Sequence, residues 1–412
     1  ALEAEQKTAD YAAARLLEAA CRLSGKQRTV RADLGNSKAI YTQFSPTDVP
    51  AEFVFEKGKP YTTRGILGKV LAYMNKHTGG TVLMASADLY GSTGAAEIAK
   101  DFPAGNFNAV SNPQSRRLSA GGICEDGMAA VCTGISAFGK HLGVASSYGA
   151  FLAFEHVAAR LHAIGVQAAR EAGLDPNTFI MFNGHASLPT GEDGPTHADP
   201  QSLQLVQDNF PKGSCITITP LEVDEIWPLT VKALSLRPAV FAPFVVRPSY
   251  AFMDREALGA DPAEKAVNGV YYLRRAKGKA EGTVFVQGAG VGRIVVEKLL
   301  PKLDKEGPDV NVVYVTSREL FEMLPRDEQD KLLPPELYQT AMGITDFTLP
   351  TMDCWINSLS GRRHTLYPHR GGKFLASASA AKVYAEAGLD GEDLFAAVCA
   401  YVQDLKGAAA WR

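Results

Sequence analysis

The stretch FNGHASLPTGEDGPTHADP, residues 182–200, sets two histidines, His185 and His197, around a glycine-rich turn carrying Glu192 and Asp193. His185, Asp193 and His197 are conceivable metal ligands, but the HxxxH spacing of a helical metal site is absent, and no metal ligand is assigned. A capped loop with two surface imidazoles is the bland alternative. The intervening Gly and Pro residues favour a third reading, a loop aiming polar groups into a cleft. The apolar run TFIMF just before it supplies a strand, and ligands of parallel sheets sit at the C-terminal ends of strands.

Other residues could share that cleft. Glu125 and Asp126 open a helix in GGICEDGMAAVCTG, where an acid in the first turn is favoured by the helix dipole. Their small neighbours (Gly121, Gly122, Gly127, Ala129, Ala130) would also let a flat ligand approach closely. Tyr148, Phe151 and Phe154 follow at i, i+3 and i+6, the spacing of a core stripe or of an aromatic shelf. Arg64 in TTRG opens a helix and Arg247 in VVRP ends a strand. If those ends meet, the pair could hold a phosphate bidentately. Ser147, Ser187 and Cys124 lie in no GxSxG elbow, which argues against a serine or cysteine hydrolase. VFVQGAGVGRIVVEK has the strand, glycine loop and helix of a dinucleotide fingerprint. Arg293 stands at its third glycine position, however, and the next strand, VNVVYVTS, ends with no acid for a ribose, so a tight strand-to-helix turn is the better reading.

The elements that must position these residues alternate. Helix is expected over 1–24, in TRGILGKVLAYMNKH, GGICEDGMAAVCTGISAFGKH, AFLAFEHVAARLHAIGVQAAREAG and EVDEIWPLTVKALS. Strands are expected in TVLMAS, TFIMFN, SCITIT and AVFAPFVVR. A second run adds strands VYYLRRA, TVFVQGA and VNVVYV, helix RIVVEKLLPKL, and C-terminal helices ASAAKVYAEAG and EDLFAAVCAYVQDL. This is the pattern of an α/β protein with parallel sheets. The boundaries predicted are 1–58 (N-terminal helix and linker), 59–250 and 265–412, with SYAFMDREALGADPAEK as the join. A net charge of −3 with mixed signs argues against a nucleic-acid or anionic-membrane partner. The six cysteines form no CxxC pair and read as reduced, mostly buried thiols of a cytoplasmic protein. No apolar run approaches membrane-spanning length, and the first twenty residues read as a charged amphipathic helix rather than a signal peptide.

Taken in order, these residues resemble the pyrimidine-binding half of the transketolase family. GEDGPTH is close to a family signature, with His185 at the family's distance before His197. SADLYGS is similar to a family strand end carrying Asp88 and Ser92. CEDGMAAVCTGISAFG resembles the helix whose glutamate activates thiamine diphosphate, and the aromatic series from Tyr148 falls where the family stacks the aminopyrimidine ring. The resemblance covers residues 60–250 well and 265–412 more weakly, and leaves residues 1–58 outside. It implies a pyrimidine-type parallel-sheet domain followed by a transketolase C-terminal-like α/β domain.

The activity so implied is transfer of a two-carbon ketol unit from a ketose to an aldose. Catalytic roles fall to Glu125, His185 and His197. Cofactor contacts fall to Glu125, Tyr148, Phe151, Phe154 and Asp88, and sugar or sugar-phosphate contacts to Arg64, Ser92, His185, Asp193, His197 and Arg247. Cys124 stands where the family usually has a basic residue, and VVRPS replaces a Ser-Arg pair, so sugar specificity is expected to differ. No Gly-Asp-Gly, the family's metal and diphosphate motif, occurs in the sequence. The expectation is therefore one subunit of a split transketolase. An N-terminal diphosphate-binding subunit would hold Mg²⁺ (or Ca²⁺ or Mn²⁺), and the pyrimidine domains would pair in a heterotetramer. Alternatives are a beta-type subunit of another thiamine-dependent enzyme (a 2-oxo acid dehydrogenase or a deoxyxylulose phosphate synthase relative) and a non-catalytic regulatory paralogue.

Overall fold

The structure, a computed structural model, describes residues 5–26, 35–87, 90–119 and 121–409. The chain divides into residues 1–34 and 35–412. The first unit contributes α1 (Gln6–Ser24), within the expected helix, and none of its residues is buried.

In the second unit a five-stranded sheet is built from β1 (Val82–Ser86), β2 (Leu142–Ser147), β3 (Phe179–Asn183), β4 (Cys215–Ile218) and β5 (Val240–Pro243). Its order is β1-β2-β3-β5-β4, and every pairing is parallel. Helices α2 (Thr63–His77), α3 (Glu125–Phe138), α4 (Leu152–Glu171) and α5 (Ile226–Ser235) connect and flank the strands. All five strands are buried along their length, which is why those with large side chains, such as FIMFN, read as near-continuous apolar runs.

The sequence reading assigned no strand to LGVASS, which forms β2 in the sheet interior. Its small residues carry no β-branched signal beyond Val144. The structure supplies the reason: a Cβ on Gly143 would come within 2.7 Å of the Cys132 Cα and overlap its carbonyl. Helix α3 therefore lies directly on β2, and side-chain bulk there would push it off.

A second sheet has the order β9-β7-β8-β6, from β6 (Val270–Arg274), β7 (Thr283–Gln287), β8 (Asn311–Val315) and β9 (Ala341–Thr345). Strand β6 runs antiparallel on the edge and the others are parallel. The helix after β7 starts at Ala289, inside the glycine loop and four residues before the expected RIVVEKLLPKL, and is labelled α6 (Ala289–Ile294) although its winding continues to Glu306. β9 was also missed, its AMGIT being short and broken by Gly343. The last helices are α7 (Ala380–Glu386) and α8 (Gly391–Ala409).

One apolar cluster runs from Ile40 through both sheets to Val402. Each fully buried Leu or Phe in it is worth about 1.5–3 kcal/mol. Residues 35–58, expected as part of an irregular linker, pack on the first sheet instead. Phe53 stacks on Trp227 at 5.5 Å, and the Tyr41 hydroxyl accepts from the Thr178 amide at 2.8 Å. A buried ionic group joins the sheets: Arg293 of α6 meets Glu222 at 3.0 Å, and the Tyr271 hydroxyl donates to Glu225 at 2.6 Å. The cysteines are less buried than expected: Cys132 and Cys215 are buried, but Cys21 and Cys124 are exposed. Among the described residues no helix is long and apolar enough to cross a membrane.

Candidate active site

Most of the sequence-predicted residues converge on the C-terminal edge of the five-stranded sheet, where they follow a strand or lie near a helix start. Glu125 is the first residue of α3, and the hydroxyl of Ser147, the last residue of β2, donates to its Oε1 at 3.0 Å. Glu125 is 8% exposed, so its carboxylate is screened by protein yet reachable. Glu155 of α4 is also buried, at 2% exposed, and feels the charge of Glu125. Burial, and then the charge of Glu125, push its carboxyl up to about 8. The exposed Cys124 thiol donates to Asp126 at 3.0 Å, which pushes the thiol up.

Tyr148 follows β2 and His185 follows β3, and their rings stack at 3.9 Å and 15°. His197 stands edge-on to Tyr148 at 5.3 Å and to Phe151 at 5.2 Å. The Tyr148 and Ser92 hydroxyls are 3.0 Å apart. Arg64 at the start of α2 reaches the Ser92 carbonyl and, at 2.7 Å, Nε2 of His185. The Arg247 guanidinium donates to Asp193 at 3.1 Å and lies 3.6 Å from Glu192.

His185 has a defined protonation. Burial first, then the charges of Arg64, Arg247 and His197, lower its imidazolium to about 3, so the ring is neutral at pH 7. A guanidinium only donates. Nε2 therefore accepts from Arg64, and the proton resides on Nδ1, which is buried with no partner among the described residues. That N–H is aimed at an acceptor that the described residues do not supply. An uncompensated buried donor costs about 1–3 kcal/mol.

Eight of the candidates thus form one linked group: Arg64, Ser92, Tyr148, Phe151, His185, Asp193, His197 and Arg247. Glu125 joins it through Ser147, the chain neighbour of Tyr148. Phe154 does not join. It is 59% exposed and lies with Val157 and Leu161 on the outer face of α3 and α4. Asp88 lies outside the described residues. Among the described residues no group of three His, Cys, Asp or Glu could hold a metal, so His185, Asp193 and His197 do not form such a set. The sequence reading overlooked Glu155. Its signal was present: the buried face of α4 runs Leu152, Glu155, Ala159, His162, Ala163, Val166, and an acid on that stripe needs a reason.

Residues 59–240 match the family model of the transketolase pyrimidine binding domain. The chain is 28% identical over 289 residues to the transketolase of Aquifex aeolicus, covering 69% of this chain and 38% of the relative. It is 29% identical over 293 residues to that of Bacillus subtilis, covering 69% and 39%. Among solved structures, transketolase from Leishmania mexicana superposes with a TM-score of 0.69 at 19% identity, covering 89% of this chain and 49% of that one. A split-gene transketolase described as an inactive β4 tetramer gives 0.51 at 16% identity, covering 83% of this chain and 98% of that one. The chain spans less than half the length of the curated relatives it matches.

Proposed function

We propose that this chain, whose residues 59–240 match the transketolase pyrimidine-binding domain, supplies the pyrimidine half of a thiamine-diphosphate-dependent ketol-transfer site, as one subunit of a split transketolase. The observation that carries the reading is the linked set Arg64–His185–Tyr148–His197 beside Glu125 at the C-terminal edge of a parallel sheet. The residues fit the cofactor's aminopyrimidine. Glu125 has one oxygen occupied by Ser147 and the other available to a ring nitrogen, and a screened carboxylate there can hold the proton that activation requires. When bound, thiamine diphosphate supplies the acidic carbon and the electron sink for carbon–carbon cleavage.

The chain's own residues do the rest. Tyr148 and Phe151 form an apolar wall that excludes water. Neutral His185 donates from Nδ1 to an oxygen and does not act as an acid at neutral pH. His197, held at Nδ1 by Thr196 at 2.9 Å, leaves Nε2 for a sugar hydroxyl or carbonyl. Asp193 accepts from a hydroxyl, and Arg64 and Arg247 are the cations a sugar phosphate would meet. The diphosphate and metal half comes from a separate N-terminal-type subunit. The near-complete coverage of a split-gene transketolase chain supports that reading, as does the exposed apolar face of α3 and α4 (Val131, Phe138, Phe154, Val157, Leu161, Ile164), suited to pairing of pyrimidine domains.

The test is reconstitution. The chain alone, with thiamine diphosphate and Mg²⁺, should bind cofactor weakly and transfer no ketol unit. Adding the diphosphate subunit should restore both together, in a heterotetramer by light scattering. Robust transfer by this chain alone would overturn the split reading, and a reconstituted complex without ketol transfer would overturn the reaction.

A further inference from the structure

The glycine loop that imitates a dinucleotide fingerprint has a different task. Its anion position is filled from within the chain: the Asp346 carboxylate accepts from the Gly290 amide at 2.8 Å, the Val291 amide at 3.0 Å and the Tyr384 hydroxyl at 2.7 Å. Gly288, at φ +108°, is required there, because a Cβ would lie 2.5 Å from that of Asp346. So anchored, the Asp346 carbonyl accepts from the hydroxyl of Ser187. Ser187 stands two residues after His185 and holds φ +58° and ψ −150°, a backbone conformation an L-residue rarely adopts.

The same loop is gripped at further points. Pro189 packs over Gly290, where a Cβ would be 2.7 Å from its Cγ. The Ala378 amide donates to the Gly191 carbonyl at 3.1 Å, and a Cβ on Gly191 would sit 2.6 Å from Val383. Every grip on residues 187–191 named here comes from chain beyond the five-stranded sheet.

We propose that Asp346 is a positioning residue for the candidate site, holding Ser187 in its strained turn and thereby fixing the placement of His185, Asp193 and His197. The inference deepens the reading above and rests on it only for what the loop binds. The second sheet and α7 thus serve as the back wall of the sugar-facing loop, and the glycine turn is closed to nucleotide phosphate.

The experiment uses the full chain and ring-¹⁵N spectra of its histidines, assigned with His185→Gln and His197→Gln. Wild type should show His185 neutral with the proton on Nδ1. Ser187→Gly removes the hydroxyl but accepts the backbone angles, and Tyr384→Phe removes one bond to Asp346. Both should fold, with thermal midpoints within a few degrees of wild type. In both, His185 should lose its single-tautomer signature and titrate closer to an ordinary histidine. Val398→Ala, which loosens the packing of α8 in the apolar core without touching Asp346, should leave the histidine signals in place. Histidine signals that superimpose on wild type in both Ser187→Gly and Tyr384→Phe would overturn the proposal, as would equal movement in Val398→Ala. If the wild-type complex transfers no ketol unit, the proposed reaction fails while the spectra still decide the positioning role.

Discussion

Replacing Glu155 by Gln should flatten the pH dependence of stability in a defined window. The folded chain keeps the Glu155 proton up to about 8, whereas the ordinary glutamate value is 4.5. Between those values the unfolded chain releases a proton that the folded chain retains. Stability therefore falls as pH rises through the window, by up to about 1.4 kcal/mol per pH unit. The full interval is worth about 4–5 kcal/mol, and about 3 kcal/mol of it is already felt at pH 7. The group is buried in α4, so little of this is screened by solvent. Glutamine has nearly the same shape and cannot ionise. Urea unfolding of wild type and Glu155→Gln at pH 5, 6, 7 and 8 isolates the effect, because the other buried carboxyls are common to both. The variant should match wild type to within about 1 kcal/mol at pH 5 and gain about 3–4 kcal/mol on it by pH 8. Parallel curves across the series would show that Glu155 ionises normally in the folded chain, and that its placement beside Glu125 carries no electrostatic cost.

Glu125→Gln should reduce ketol transfer in the reconstituted complex by about 10²–10⁴ while leaving the thermal midpoint in place, and unchanged turnover would remove Glu125 from the mechanism. Arg247→Ala should raise KM for phosphorylated sugars by about 10- to 150-fold, the worth of a charge-assisted contact of about 1.5–3 kcal/mol, with little change for unphosphorylated ones. Equal effects on both would leave Arg247 only its bonds to Asp193 and Glu192. Leu161→Glu puts a charge into the exposed apolar face of α4 and should abolish pairing in light scattering without loss of helical signal. Arg293→Ala strands Glu222 in the interior and should cost about 3–5 kcal/mol in chemical unfolding.

How much was legible in the sequence follows from how each element is stabilised. TFIMF and TVFVQ form strands because both faces are buried, and runs of large apolar residues announce that. LGVASS was silent because close approach of α3 selects for small side chains, and smallness carries no β signal. Asp193 and His197 stood out as residue types in GEDGPTH, but the linkage of such polar residues to one another was not legible. The Arg64–His185 bond spans 121 residues and the Arg247–Asp193 bond 54. Phe154 shows the limit of spacing: i, i+3, i+6 placed three aromatics together on paper, yet the turn at Gly149–Phe151 carries Tyr148 and Phe151 inward and leaves Phe154 outside. Asp346 was illegible because nothing local marks a carboxylate that caps a helix begun 57 positions earlier in the chain.

The grip on the 187–191 turn also sets a sequence of events at the ribosome. The five-stranded sheet is complete in sequence by Pro243, but the partner of Ser187 lies 159 positions along the chain from it, and the Val383 contact lies further still. At about 5–20 residues per second, the chain from Pro243 to Val383 takes about 7–30 s to emerge. Through that interval the nascent sheet lacks the Asp346 and Val383 contacts that hold the 187–191 turn. The 187–191 turn therefore takes its final form only after Asp346 and Val383 have emerged, and a nascent chain stalled before Asp346 should present a folded first sheet with that turn unformed.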